Sequence, residues 1–329
     1  MIESIRSQMP RQCVPNSAFE ELWEDWTAEK IFSKTGIKSR YIAADDECAS
    51  DLAAGAAEKL LEGRDRSRIG FLLNCTESPD YVLPPTACLL QDRLGLSISC
   101  GAFDINLACS AYIYGLATSY AYLQSGIADE VLLLTGDTYS KYIHPDDRST
   151  RTIFGDAATA TLLTKESLRR LYAFVLHTDG RGSDSLILRN GACRNPRSGA
   201  VDRSVDEMGK CSPDFLYMNG PDVFEFTLRV VPSLVREVCE KAGCMLEEVD
   251  HFVFHQANVF MLEHLRKKLK ISEEKFVYHI EEWGNTVSST IPLALERCIG
   301  DGRFKSGDKI LLAGFGVGLS WGGCMLEWA

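Results

Sequence analysis

Short apolar runs alternate with longer amphipathic patterns along this chain, and this order constrains the fold more than any other feature. The clearest strand candidates are the apolar runs at 69–74, 130–136, 251–255 and 309–315. The helical patterns are at 50–63, 110–126, 221–243 and 259–270. Alternating strands and helices favour an α/β fold. Pro232 should kink or split the third of these helices, because proline lacks the backbone N–H that a helix interior uses.

The second half of the chain repeats the element order of the first. In each half a predicted helix that ends near a glycine, Gly63 or Gly243, leads into a strand. The run "DEVLLLTG" in the first half resembles "DKILLAGF" in the second, and a glycine-rich segment follows each. A repeat of this length indicates a duplicated half-domain and not a solenoid. We expect one half to span residues 1–165 and the other residues 166–329.

Composition argues against several classes of protein. The net charge of −11 argues against broad nucleic-acid binding, which requires a basic surface. No run of about 18 apolar residues exists, and the first residues lack the apolar core of a signal peptide. Twelve cysteines without a C-x-x-C pair indicate reduced, mostly buried thiols in a cytoplasmic protein. His251 and His255 share a strand face without a third ligand at useful spacing, so we predict no metal site.

One cysteine, Cys109, lies where a predicted buried strand at 103–108 gives way to a predicted helix at 110–125. The orphan N–H groups and the macrodipole of a helix N-terminus stabilise an anion, and the thiolate is the reactive form of cysteine. We therefore expect a lowered thiol pKa. The small neighbours Ala108 and Ser110 leave room for a substrate carbonyl. The alternative is that Cys109 is a small buried hydrophobe.

Three other segments hold candidate partners for this cysteine. His255 ends an apolar strand, and α/β sheets place their sites where strands end and helices follow. Asn285 lies in a Gly-Asn turn before a helical pattern, and an ordinary N-cap with Thr286 or Ser288 explains that spacing as well. The alternating glycines of 314–323 would let backbone N–H groups approach a phosphate or an oxyanion. Each segment alone is weak evidence of function.

Together these segments resemble the ketoacyl-acyl-carrier-protein synthase III branch of the thiolase superfamily, in order and over nearly the whole chain. The segments that carry the resemblance are "SKTGIKSRYIA" (33–43), "FDINLACSA" (103–111), "HPDDRSTRTIFGDAATA" (144–160), "FHQAN" (254–258), "GNTVSST" (284–290) and "GFGVGLSWG" (314–322). The resemblance implies a thiolase-like duplicated αβαβα five-layered fold and a homodimer. It implies no bound cofactor, and it names acyl-CoA and acyl or malonyl carrier protein as substrates.

The resemblance also implies a Cys–His–Asn site made of Cys109, His255 and Asn285. Cys109 would take an acyl group from its carrier, and a malonyl-type thioester would then lose CO₂ and attack the acyl-cysteine. His255 and Asn285 would hydrogen-bond the malonyl thioester carbonyl, while the backbone N–H groups of Cys109 and Val317 would form the oxyanion hole. Such a reaction belongs to fatty acid or to specialised acyl and polyketide biosynthesis.

Two alternatives stay open beside this reaction. One is acyl transfer to an amine or hydroxyl acceptor, and the other is a non-catalytic partner subunit of an active relative. Relatives that acylate oxygen or nitrogen tend to carry an acidic residue in the active site. The amide of Asn285 therefore favours carbon–carbon bond formation.

Further positions bear on how substrate and carrier would bind. Arg148 matches an arginine of the family that contacts the carrier. The tryptophan and arginine that meet coenzyme A in the family are Lys30 and Lys34 here, and Phe260 replaces another arginine. These departures favour delivery by a carrier protein over coenzyme A. The predicted substrate- and carrier-binding residues are Lys34, Leu83, Arg148, Asn258, Lys267, Lys268, Gly316 and Gly318.

A basic helix face at 266–270 supplies two of these residues. Its cations are Arg266, Lys267, Lys268 and Lys270. Such a face would attract an acidic carrier protein, and it is equally consistent with an ordinary solvated helix surface.

Overall fold

Two larger sheets and the helices around them make up the computed structural model, which describes residues 1–197, 199–206 and 211–329. The strands are β1 (Ile2–Gln8), β2 (Gln12–Pro15), β3 (Ser39–Ile42), β4 (Ile69–Cys75), β5 (Gly101–Ile105), β6 (Glu130–Asp137), β7 (Ala157–Thr164), β8 (Arg170–Thr178), β9 (Leu186–Ile187), β10 (Tyr217–Met218), β11 (His251–Phe254), β12 (Lys309–Gly316) and β13 (Ser320–Glu327). The helices are α1 (Ser17–Glu20), α2 (Ala28–Thr35), α3 (Ala49–Leu61), α4 (Thr86–Arg93), α5 (Ala111–Ser125), α6 (Arg148–Arg151), α7 (Gly220–Ala242), α8 (Val259–Leu269) and α9 (Thr290–Gly300).

The two larger sheets share one strand plan. The first has the order β1-β7-β6-β4-β5, and the second has the order β11-β12-β13-β8. In each sheet one parallel pair, β4–β6 or β11–β12, is followed by two antiparallel neighbours. The chain therefore traces β1, β4, β6 and β7 in the first half as it traces β8, β11, β12 and β13 in the second. This is the duplication that the sequence predicted.

The second sheet lacks a full counterpart of β5. Its place is taken by a single parallel bridge between Phe252 and Phe276, supported by a hydrogen bond of 3.0 Å from Val277 N to Phe252 O. β5 itself is shorter than the predicted strand at 103–108 and is only half-buried, because it lies at the edge of its sheet. The predicted strand is confirmed over residues 103–105, whereas the prediction that it is buried is wrong.

Helices α5 and α9 lie between the two sheets and form the central layer. Leu116 of α5 and Ile291 of α9 have no exposed surface and belong to one apolar core with residues of both sheets. Helices α3 and α4 cover the outer face of the first sheet, and α7 and α8 cover that of the second. The predicted αβαβα layers are therefore present. The proposed boundary after residue 165 falls in the connection between β7 and β8.

Helix α7 continues without a break through Pro232, so the prediction of a split there is wrong. Pro232 has no N–H to donate to the carbonyl of Leu228, four residues earlier. The Nζ of Lys268 donates to that carbonyl instead, at 2.9 Å. A side chain from α8 thus satisfies the acceptor that the proline leaves open.

Two further predictions concern the state of the cysteines and the presence of a membrane-spanning segment. All twelve cysteines are free, six are buried, three are half-buried and three are exposed. Among the described residues no helix combines the length and the apolar character needed to cross a membrane.

We predict that Gly314→Ala lowers the free energy of unfolding by about 1–3 kcal/mol, the usual cost of overpacking. A Cβ at Gly314 would lie 2.8 Å from the carbonyl oxygen of Cys109 and 3.0 Å from Cα of Ser110, and neither backbone atom can yield cheaply. Gly300→Ala is the matched control, because its Cβ meets nothing within 4 Å. Urea unfolding measures both, and equal midpoints for the two variants would contradict the prediction.

Candidate active site

Three neighbouring parallel strands, β5, β4 and β6, end at the same level of the first sheet. Cys75 at the end of β4 pairs with Ile105 on one side and with Thr135 on the other. The chain after β5 then reaches Cys109 and enters α5 through its N-cap residue, Ser110. Cys109 therefore lies at the predicted strand-to-helix junction, at the edge of the sheet where α/β proteins bind ligands.

A cavity of about 480 Å³ has Cys109, His255 and Asn285 in its lining, together with Asn258 and Gly316. Most of the remaining lining is apolar, and its members are Ile153, Phe154, Leu186, Met218, Gly220, Pro221, Val223, Phe224, Thr227, Ala257, Phe260, Met261 and Phe315. The structure thus brings together all three predicted reactive residues, although they come from distant parts of the chain.

His255 directly follows β11, and its ring is held by one hydroxyl. Its backbone N–H donates to the carbonyl of Ala313 at 2.8 Å, which extends the pairing with β12 by one residue. Nδ1 lies 2.7 Å from Oγ1 of Thr290, and the Thr290 hydroxyl donates to the carbonyl of Val287 at 3.2 Å. Which partner donates in the contact between Nδ1 and Thr290 depends on the tautomer of the imidazole.

Burial lowers the pKa of His255 to about 3. The imidazole is therefore neutral at any pH well above that value.

Asn285 is held by the turn that precedes α9. Gly284 has a φ of +67°, which an L side chain rarely adopts, and the Asn285 N–H donates to the carbonyl of Ile153 at 2.9 Å. Oδ1 of Asn285 accepts the Val287 N–H at 3.0 Å. The side-chain carbonyl is thus occupied, so the free end of the amide is its NH₂ donor.

The capping residues predicted for this helix are wrong. The N-cap residue of α9 is Ser289, and its side chain does not cap the helix but lies 2.8 Å from the hydroxyl of Thr135. Ser288 donates its hydroxyl to Asp137, and Oγ1 of Thr286 is buried without a partner among the described residues. The hydroxyls of Ser288 and Ser289 fasten the Asn285 turn to the first sheet.

The glycine-rich segment packs directly against the cysteine. A Cβ at Gly316 would lie 2.8 Å from Cβ of Cys109 and 3.1 Å from its sulfur. The hydroxyls of Ser110 and Ser320 are 2.7 Å apart, and Ser320 also donates to the carbonyl of Val317 at 2.7 Å. Cys109 itself therefore occupies the space beside Gly316. From the sequence, a phosphate or an oxyanion was the expected neighbour of these glycines.

The backbone N–H groups predicted for the oxyanion hole remain available. In the described parts of the chain, neither the N–H of Cys109 nor that of Val317 donates to a backbone carbonyl. Val317 packs, half-buried, against the cluster that contains Cys109. Gly318, with a φ of +131°, completes the turn into β13.

The prediction of a lowered thiol pKa is wrong. Burial raises the pKa of the Cys109 thiol well above its usual value, and the negative charges of Glu77 and Asp137 raise it further, while the cysteine's own backbone N–H lowers it. Desolvation thus outweighs the helix N-terminus. The sequence analysis missed both carboxyls, although Glu77 stands three residues after the predicted strand at 69–74, where it reaches the same sheet edge as Cys109.

The predicted entrance residues lie outside the cavity lining. Nζ of Lys34 lies 5.0 Å from the ring centroid of Trp26. Arg148 forms an ion pair of 2.7 Å with Asp25. Leu83 is 81% exposed.

Two predicted positions near the cavity have clear structural roles. Asn258 caps α8 by accepting the Met261 N–H at 2.8 Å, and it lines the cavity. Phe260, which replaces an arginine of the family, lines the cavity and stacks on Phe224 with ring centroids 5.4 Å apart. The mouth is therefore aromatic where the resemblance implied a positive charge.

The basic face of α8 is partly neutralised. Lys267 pairs with Glu263 at 3.2 Å, and Arg266 pairs with the same carboxylate at 3.0 Å. Lys268 is bonded to the carbonyl of Leu228. These contacts favour the reading of a solvated helix face over that of a strong carrier site.

We predict that His255 shows no protonation between about pH 5 and pH 8, because burial keeps its pKa far below the usual value of about 6.5. Histidine side-chain NMR spectra recorded across this range measure the titration. The spectrum of His255→Gln assigns the resonance and serves as the control. A His255 resonance that titrates near pH 6.5 would contradict the prediction.

Comparisons with known proteins identify the family of this chain. Residues 103–180 match the model of the 3-oxoacyl-[acyl-carrier-protein] synthase III family, and residues 239–328 match the model of its C-terminal part. The β-ketoacyl-[acyl-carrier-protein] synthase III of Thermosynechococcus vestitus is 36% identical over 321 residues, which cover 97% of this chain and 95% of that protein.

Solved structures give the same result. A crystal structure of a 3-oxoacyl-(acyl-carrier-protein) synthase III superposes with a TM-score of 0.96 at 47% identity, covering 99% of both chains. The priming β-ketosynthase of the R1128 polyketide pathway superposes with a TM-score of 0.84 at 29% identity, covering 98% of this chain and 94% of that one. The fold is the thiolase fold, and the chain belongs to the 3-oxoacyl-[acyl-carrier-protein] synthase III family.

Proposed function

We propose that this protein catalyses the decarboxylative condensation of an acyl group on Cys109 with a malonyl-type thioester. The observation that carries the proposal is the convergence of Cys109, His255 and Asn285 on one apolar cavity. A nucleophile and two neutral donors in an apolar cavity suit a reaction whose charge is negative and transient. The donor would be an acyl-CoA or acyl carrier protein, with no bound cofactor.

In the first step the sulfur of Cys109 attacks the thioester carbonyl of the donor. A bond forms between this sulfur and the acyl carbon, the carbon–sulfur bond to the carrier breaks, and the carrier leaves as its thiol. The backbone N–H groups of Cys109 and Val317 supply the oxyanion hole during this step. The apolar lining of the cavity suits an aliphatic acyl chain and its pantetheine arm.

In the second step a malonyl-type thioester enters the same cavity. The Nε2–H of His255 and the side-chain NH₂ of Asn285 donate to its thioester carbonyl and stabilise the enolate that forms as CO₂ leaves. The carbanion attacks the acyl carbon on Cys109, the bond between that carbon and the sulfur breaks, and the cysteine leaves as a thiolate that takes up one proton from water. Because both donors are neutral, this step needs no change in their protonation.

A homodimer formed through the β5 edge would complete the assembly. The edge of β5 away from β4 has no strand partner among the described residues. Asp104 of β5 accepts the N–H groups of Thr86 and Ala87, at 2.6 and 2.8 Å, which holds the loop before α4 beside this edge. Leu83 in that loop is 81% exposed and Ile98, just before β5, is 99% exposed. An open edge with apolar neighbours is suited to pairing with a second copy.

The carrier protein would approach from the side of α2, and the reaction would take place in the cytoplasm. Lys30 and Lys34 of α2 lie beside Trp26, with Nζ 5.7 and 5.0 Å from its ring centroid. The amine of Lys30 also donates to the carbonyl of Asp25 at 2.6 Å. Lys34 is therefore a better candidate for meeting an acidic carrier than Lys268, whose amine is bonded to the carbonyl of Leu228.

We predict that the protein incubated with an acyl-CoA or acyl carrier protein gains one acyl mass on Cys109, and that Cys109→Ala gains none. Malonyl thioester should then discharge the adduct and release CO₂. His255→Ala and Asn285→Ala should retain acylation but lose discharge by about 10²-fold or more, the usual cost of losing one oxyanion donor. Intact-mass spectrometry and labelled CO₂ measure the two steps.

Two results would count against this reaction. An adduct that survives Cys109→Ala would exclude the cysteine as acyl carrier. Discharge by an amine or hydroxyl compound without CO₂ would favour the alternative of acyl transfer to a heteroatom. Activity of the purified homodimer would exclude the alternative of a non-catalytic partner subunit.

We predict that Leu83→Lys weakens self-association at least about tenfold, because a charge would then enter an apolar contact between copies. Sedimentation equilibrium over a range of concentrations measures the dissociation constant. Leu168→Lys is the matched control, since Leu168 is 79% exposed but lies in the connection between β7 and β8. A wild-type protein that sediments as a monomer would refute the proposed dimer.

A further inference from the structure

Asn285 lies where two segments from opposite halves of the chain meet. Its N–H donates to the carbonyl of Ile153 at 2.9 Å, and its own carbonyl accepts the Gly155 N–H at 3.0 Å. Phe154, between these two residues, forms a parallel bridge with Asn285. The segment 152–156 of the first half therefore fixes the backbone of a candidate active-site residue that belongs to the second half.

Strand β3 lies against both of these segments. The N–H of Lys38, just before the strand, donates to the carbonyl of Glu281 at 2.7 Å. The carbonyl of Tyr41, within the strand, accepts the Asp156 N–H at 2.8 Å. The Ala43 N–H, just after the strand, donates to Oδ2 of Asp156, also at 2.8 Å. One short strand thus holds the segments on either side of the turn.

The side chain of Arg40, in β3, packs at the place where the two segments meet. It has no exposed surface. A Cβ built at Gly155 would lie 3.0 Å from Cβ of Arg40, and one built at Gly284 would lie 3.3 Å from the same atom. Arg40 therefore contacts a residue that is bonded to Asn285 and also the residue that precedes Asn285.

The guanidinium of Arg40 reaches the first of these segments through one nitrogen. Nη2 donates to the carbonyl of Thr152 at 2.9 Å and to Oδ1 of Asn16 at 2.7 Å. Asn16 is itself fixed, because its side-chain NH₂ donates to the carbonyl of Ile37 at 2.6 Å. The guanidinium carbon lies 4.9 Å from the ring centroid of Phe19, which favours a cation. Arg40 therefore ties Thr152 to the first segments of the chain.

This cation is costly to bury. Nε and Nη1 have no hydrogen-bond partner among the described residues, and none of the ion pairs of those residues includes Arg40. Burial lowers the pKa of Arg40 to about 10, so it remains charged at neutral pH. An apolar side chain of similar volume would avoid the cost of removing this charge from water. What arginine adds here is its hold on Thr152 and Asn16.

We propose that Arg40 is a positioning residue for Asn285, because it holds the segment to which the Asn285 backbone is bonded and so keeps the Asn285 side-chain NH₂ directed into the cavity. The inference rests on the proposed function in taking Asn285 as a donor in the condensation step. Arg40 is not part of the cavity lining, so it acts through the turn and not on the substrate. Acylation of Cys109 does not use Asn285, so Arg40 should matter for the second step alone.

The test separates the two steps in Arg40→Met. Acylation of Cys109, followed by intact-mass spectrometry, should proceed at the wild-type rate. Discharge by a malonyl thioester, followed by release of labelled CO₂ in a single turnover, should slow by about tenfold or more, since a misplacement of about 1 Å can cost about 10²-fold. In the Asn285→Ala background Arg40→Met should have no further effect, because a residue that acts through Asn285 then has nothing to position.

The matched control is Arg303→Met. Nη2 of Arg303 also donates to two acceptors, the carbonyls of Glu274 and Phe276 at 2.6 and 3.2 Å, and Arg303 does not line the cavity. Discharge in this variant should match the wild type. Equal slowing of both steps in Arg40→Met, discharge at the wild-type rate, or an effect that persists in full in the Asn285→Ala background would overturn the proposal.

A second measurement needs no substrate. Hydrogen exchange of the Asn285 and Gly155 N–H groups should be faster in Arg40→Met than in the wild type and unchanged in Arg303→Met. Faster exchange in a protein that condenses nothing would refute the proposed condensation and leave the hold of Arg40 on the turn intact. Wild-type exchange in a protein that does condense would overturn the role of Arg40 alone.

Arg40→Lys replaces Arg40→Met in both measurements if the methionine variant does not fold. It keeps the cation on a shorter side chain, so it should slow discharge and speed exchange in the same direction by smaller factors. Wild-type discharge and wild-type exchange in Arg40→Lys would then overturn the proposal.

Discussion

The burial of α5 and α9 between two sheets is the constraint on which the rest of the structure depends. Both helices are covered on two sides, and their first residues follow the carboxyl edges of the sheets. Cys109 stands just before α5, and Asn285 stands a few residues before α9. The duplication thus directs the N-termini of α5 and α9 towards one cavity. Each half of the chain contributes one cavity residue, Cys109 or Asn285, just before its central helix.

The site works with little positive charge. The donors proposed for it are a neutral imidazole, a side-chain amide and two backbone N–H groups, and the carboxyls whose charge influences the cysteine are those of Glu77 and Asp137. Such donors stabilise a developing oxyanion without stabilising a resting anion on the substrate or on the cysteine. The cost is a thiol that is difficult to ionise, which is the reverse of what the helix N-terminus alone suggested.

Patterns confined to one element were predictable from the sequence. The alternation of strands and helices indicated the layers, and the junction at Cys109 was visible in a dozen residues. Contacts between elements were not predictable in the same way. The sequence offers no means of seeing that Lys268 supplies the donor which Pro232 lacks, or that Ser289 bonds to Thr135 and does not cap α9.

The pKa shift of Cys109 was a second property that could not be predicted from the sequence. The field of a helix N-terminus can be inferred from a local pattern, but desolvation and the charges of Glu77 and Asp137 depend on how three strands end together. Long-range position, and not residue type, decided the sign of the pKa shift at Cys109. The entrance is a similar case, because the stacking of Phe260 on Phe224 joins residues from two different helices.

The closeness of Gly316 to the sulfur of Cys109 has a geometric consequence. The Cβ that any other residue would place there lies 3.1 Å from the sulfur, within the volume that a sulfur-bound carbonyl carbon and its oxygen would also compete for. Glycine, with only a hydrogen at this position, therefore leaves space beside the sulfur for the tetrahedral carbon that acylation forms. A methyl group at that point would press on Cβ of Cys109, at 2.8 Å, and would leave the sulfur less room to become a thioester.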